Sequence, residues 1–134
     1  MRIAINALSV KIGGGITYLY NLIPKLAELG PENEYIVITS PEGKIKLGLQ
    51  KNIAPNIKVI VIGMPFLFLR LLAEQLILPP IMLMNKVDIL FCPANIISFF
   101  SPCKKVLLIQ NIDPFVKIQN EKYNHNRFKE ISPE

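Results

Sequence analysis

A chain of 134 residues is the size of one domain and long enough to bury its own core. With 51% hydrophobic and 19% charged residues it is too apolar for a disordered segment. Its formal charge of +5, from 15 Lys and Arg against 10 Asp and Glu, is scattered with no run beyond Lys104-Lys105, so no nucleic-acid-binding stripe is visible and nucleic acid is not an expected partner.

In chain order, the apolar run RIAINAL (2–8) reads as a short buried strand, followed by a loop through Lys11 to Gly15. From Ile16 the apolar residues Ile16, Leu19, Tyr20, Ile23, Leu26 and Ala27 fall at helical spacing, with Thr17, Asn21, Lys25 and Glu28 on the opposite face. Pro24 predicts a kink or a 3₁₀ stretch there, because proline in a helix interior costs roughly 3 kcal/mol. Gly30 and Pro31 end this helix in the expected order. EYIVITS (34–40) is a second strand, PEG (41–43) a turn, and residues 44–54 are ambiguous, with a short helix around Ile45 to Gln50 as one reading. NIKVIVIG (56–63) is a third strand. Pro65 opens a long apolar helix that runs to Leu78. KVDILFCP (86–93) and KKVLLIQN (104–111) are the fourth and fifth strands, and residues 117–134 form a polar tail with helical character but no core face.

The stretch 66–84 is apolar enough to suggest a membrane span. Arg70, Glu74 and Gln75 lie inside it, however, and a charge at a helix centre costs roughly 2.5–3.5 kcal/mol on insertion scales. A buried or surface-seeking helix is the expectation. Arg70 and Glu74, four residues apart, are expected to form a structural ion pair. Phe99-Phe100 read as loop anchors packed on the sheet, with a lipid-facing role as the alternative. Cys92 and Cys103 fit no metal or CxxC spacing and read as reduced thiols of a cytosolic protein. His125 stands alone in the polar tail, and the N-terminus is apolar for too short a stretch to act as a signal peptide.

Strands that are continuous apolar runs alternating with helices imply α/β class: an open parallel sheet covered by helices on both faces. In such sheets ligands gather at the carboxyl ends of the strands. The triplet Gly13-Gly14-Gly15, directly before a helix, suits an anion, since bare amides and a helix N-terminus both favour negative charge; a flexible connection needing positive φ is the alternative. A Walker A loop is absent. A dinucleotide fingerprint fails because Tyr18 stands where the last glycine would be, and the second strand ends in Thr39-Ser40 rather than a carboxylate.

Taken in order and spacing, INALSVKIGGGITYLYNL, RLLAEQLILP, VDILFCPAN and VLLIQNIDPF resemble the N-terminal domain of family 4 glycosyltransferases, over residues 1–116. The resemblance implies a Rossmann-like open sheet as the N-terminal half of a GT-B fold, truncated before its last elements. It also implies transfer of a sugar, with retention, from a nucleotide-sugar donor to a glycan or lipid-linked acceptor. Gly13, Gly14 and Gly15, aided by Thr17, would lie against the donor diphosphate and sugar. Asn95, Gln110, Asn111 and Asp113 would lie on the acceptor side. Many relatives carry a His-Asp pair where this chain has Gln110-Asn111. Asp113, nearby, reads either as a replacement charge or as a cap before Pro114. No catalytic residue is assigned, and neither metal nor cofactor is expected, the nucleotide-sugar being a substrate. The donor domain would follow this stretch, so the 134 residues alone are expected to be inactive. The expected location is cytoplasmic, with peripheral contact at the inner membrane face. The rival readings are a catalytically inert sugar-binding or assembly module of the same fold and, as a weaker third, a small membrane-associated protein built around residues 66–84.

Overall fold

The computed structural model describes residues 1–10, 13–51, 53–63, 72, 74–93 and 98–109. Among them five strands form one sheet: β1 (Arg2–Asn6), β2 (Glu34–Thr39), β3 (Ile57–Val61), β4 (Ile89–Cys92) and β5 (Lys104–Leu107). All neighbours pair in parallel, in the order β3-β2-β1-β4-β5. Helices α1 (Gly14–Leu29), α2 (Pro41–Lys46) and α3 (Leu78–Met84) connect them. The chain is also helical at Leu72 and from Glu74 to Leu76. This is a Rossmann-like α/β architecture, as the alternation of apolar runs implies.

The pleat sorts the strand residues to two faces. Ala4, Ile36, Ile38, Leu90 and Cys92 pack with Leu78 and Met82 of α3 in one cluster. Ile5 and Val37 pack with Leu19 and Ile23 of α1, and with Leu47 and Leu49 beyond α2, in the other. Each fully buried Ile or Leu contributes about 1.5–3 kcal/mol, so burial on both faces, more than strand propensity, fixes the register. Ala4 and Ile5 of central β1 are paired on both sides, to Ile36 and Val37 of β2 and to Leu90 and Phe91 of β4.

The elements depart from the sequence expectation in several places. α1 starts within the glycines and stays α-helical through Pro24, with no 3₁₀ stretch. Pro24 is on the exposed side, where the Tyr20 carbonyl deprived of its donor can turn to water. Leu19, Ile23 and Ala27 are buried as expected, but Tyr20 is exposed and its ring lies over Gly48, which takes φ +68°. Residues 41–43 are not a turn but the start of α2: the Ser40 hydroxyl accepts from the Gly43 amide at 3.0 Å and Pro41 occupies the first turn. Pro79-Pro80 likewise open α3 instead of stopping a helix. The strands are shorter than their apolar runs, and β5 is exposed at all four positions. The tail 117–134, His125, and residues 64–71, where the long helix was expected to begin, lie outside the described residues. Cys92 and Cys103 are free thiols.

Candidate functional site

The strand order reverses direction at β1, whose crossover leads to β2 on one side while β4 lies on the other. The carboxyl ends of β1 and β4 therefore border the crevice where ligands of such sheets bind. The chain leaves β1 at Asn6, which is buried, and the Asn6 Oδ1 accepts from the Leu8 amide at 3.2 Å. The Val10 amide then donates to the Ala7 carbonyl at 3.3 Å, turning the chain toward the glycines.

Gly13 caps α1 with φ +74° and ψ −151°, a conformation that a side chain makes costly. It offers no side-chain cap, and the first turn holds no acidic residue. The Ile16 amide returns to the Gly13 carbonyl at 3.1 Å, while the amides of Gly14 and Gly15 belong to the first turn of α1 and have no partner within the helix itself. A Cβ at Gly13 or Gly14 would meet nothing within 4 Å. Gly13 is thus required by its backbone conformation. Gly14 fills no tight spot: a Cβ there would have room. The positive end of a 16-residue helix lies here.

Thr17 lies one turn further along, exposed, with its carbonyl accepting from Asn21 Nδ2 at 2.8 Å. It stands beside the loop and does not cap it. Gly13, Gly14, Gly15 and Thr17 lie together at the start of α1, the helix that follows β1. Asn95, Gln110, Asn111 and Asp113 lie outside the described residues, as does Arg70 of the expected Arg70–Glu74 pair.

A second polar pair joins Ser9 to Glu74, the carboxylate expected to pair with Arg70. Ser9 Oγ donates to Oε1 of Glu74 at 2.8 Å, and Glu74 is fully buried. This bond ties the exit of β1 to the helical segment on the opposite face from α1. Cys92, at the end of β4, adjoins Asn6, Ser98 and Glu74. Burial, reinforced by the Glu74 carboxylate, pushes its thiol up to about 11 against the opposing hydrogen bonds from the Ser98 backbone and the Asn6 side chain. The sulfur therefore stays protonated at neutral pH and is no nucleophile. The Ser98 hydroxyl is fully buried with no hydrogen-bond partner among the described residues. The one hint in the sequence was Glu74 itself, the single charge in residues 71–85.

Among the described residues no group of three or more His, Cys, Asp or Glu is placed to hold a metal ion. Elsewhere, a groove of about 650 Å³ runs between α1 and residues 47–57, lined by Tyr20, Pro24, Leu47, Leu49 and Ile53. Comparison of the chain with protein-family models, with curated proteins and with solved structures finds no match.

Proposed function

We propose that this chain forms the acceptor-side wall of a retaining, GT-B-type glycosyltransferase, with the glycine loop receiving the diphosphate and sugar of a nucleotide-sugar donor. One observation supports the reading: a glycine-built start of α1, with Gly13 at positive φ and room for a Cβ at both Gly13 and Gly14, on the helix that follows β1, the strand at which the sheet order reverses. In the reaction the bond from the anomeric carbon to the phosphate oxygen breaks as the acceptor oxygen bonds to the same carbon on the same face. The acceptor proton passes to the departing phosphate. The protein's part is to stabilise the charge gathering on that phosphate, and the amides of Gly14 and Gly15 with the α1 dipole suit this role. Asn95, Gln110, Asn111 and Asp113 are proposed to bind the hydroxyls of a glycan or lipid-linked acceptor. No metal or further cofactor is invoked.

Titration of the ¹⁵N-labelled chain with nucleoside diphosphate sugars tests this reading. It predicts amide shifts concentrated at Gly13, Gly14, Gly15 and Thr17, reproduced more weakly by nucleoside diphosphate alone. These shifts are expected to be weak, because most nucleotide contacts belong to the donor domain; tight binding by these residues alone, or shifts confined to the groove beside Leu47 and Leu49, would overturn the reading.

A further inference from the structure

Phe99 and Phe100 do not anchor their loop by packing on the sheet, since both rings are 74% exposed. Polar bonds hold the loop instead. The Phe99 amide donates to Gln75 Oε1 at 3.0 Å, and Lys105 Nζ donates to the Phe99 carbonyl at 2.8 Å. Gln75 follows Glu74, whose Oε1 accepts from Ser9 Oγ at 2.8 Å. Two consecutive residues of one helical turn thus reach two separate connections: Ser9 lies in the one that leaves β1, and Phe99 in the one that leaves β4. The turn belongs to the apolar stretch 66–84, and no helix among the described residues is long and apolar enough to cross a membrane.

The ground between these two bonds is buried and polar. Asn6, Glu74, Cys92 and Ser98 are all buried, and the Cys92 thiol adjoins the other three. The end of β1, the end of β4, the helical turn and the connection to β5 therefore meet around one sulfur. β1 and β4 are neighbours in the sheet, paired in parallel from Ile3 with Ile89 to Ile5 with Phe91. The turn itself has a firm base, because it leads into α3, whose Leu78 and Met82 are packed in the core. In such surroundings a hydrogen bond to a carboxylate is stronger than the same bond in water.

From this we infer that Glu74 and Gln75 are positioning residues: one helical turn clamps the connection after β1 to the connection after β4 and sets the spacing of the two loops that flank the strand-order reversal. Glu74 acts through Ser9, four residues before Gly13, and Gln75 acts through the Phe99 amide. On the sugar-transfer reading the first connection leads to the glycines and the second contains Asn95, so the clamp fixes where an acceptor stands relative to a donor. That consequence rests on the reading; the clamp itself does not.

Labelling of Cys92 by iodoacetamide in the folded full chain, with Cys103→Ser to silence the other thiol, is the test, since Cys92 lies inside the clamp and is reached when a loop lifts. Ser9→Ala and Gln75→Ala should each speed the reaction roughly fivefold, the effect of one lost hydrogen bond. Ser9→Thr and Gln75→Glu, which keep the donor and the acceptor, should restore the parent rate. The two alanines together should raise the rate by less than the product of their separate effects, because both bonds hold one turn. Ser40→Ala, which removes the cap of α2, should leave the rate as it is. An unchanged rate in either alanine variant of the clamp, no rescue by threonine and glutamate, effects that multiply, or an equal acceleration in Ser40→Ala would overturn the inference. No ligand enters the measurement, so its failure leaves the sugar-transfer reading standing, and failure of the glycine-loop titration leaves the clamp standing.

Discussion

Gly13 and Cys92 sit at the carboxyl ends of neighbouring strands under opposite constraints. Gly13 is exposed and held at positive φ, so its role is to bend the backbone into α1. Cys92 is buried, and its value is pushed from 9.0 to about 11 chiefly by that burial. The folded chain therefore keeps a proton that the unfolded chain loses above 9.0. By linkage this contribution is fully present below pH 9.0 and is lost as pH rises to about 11, with a slope of at most about 1.4 kcal/mol per pH unit. Urea denaturation of wild type and Cys92→Ala across that window should show the wild type losing stability faster. Parallel curves would mean that the thiol titrates as it does in the unfolded chain.

The helices show how small polar residues decide where elements begin. α2 exists because Ser40 caps it and Pro41 fits its first turn. Ser40→Ala should cost about 1 kcal/mol in urea denaturation, and Ser40→Asp should restore most of it; an unchanged midpoint for the alanine variant would deny the cap any role. In the sequence, Ser-Pro-Glu-Gly reads equally as a turn or a cap, and a turn was the expectation, because proline and glycine signal both. Pro79-Pro80 are ambiguous in the same way. α1 was legible from its apolar spacing, apart from Tyr20 at the margin of the stripe, whose place was set by Gly48 more than twenty residues on. The Ser9–Glu74 bond joins residues 65 apart and left no local trace beyond a carboxylate in apolar surroundings.

For the molecule as a whole, the parallel sheet was legible because β1, β2 and β4 bury residues on both faces and so read as unbroken apolar runs. The same rule misleads at the edge. β5 reads like the central strands, yet its side chains are exposed, since among the described residues it pairs only with β4 and forms an edge of the sheet. Of the proposed site, the glycines before a helix were legible, and the structure adds the positive φ of Gly13 and the room for a Cβ at Gly13 and Gly14. Crystals of the chain soaked with a nucleoside diphosphate sugar test the central claim most directly. The account predicts the diphosphate within hydrogen-bonding reach of the Gly14 and Gly15 amides at the carboxyl edge of β1. Ligand bound instead in the groove between α1 and residues 47–57, with the glycine loop vacant, would contradict it.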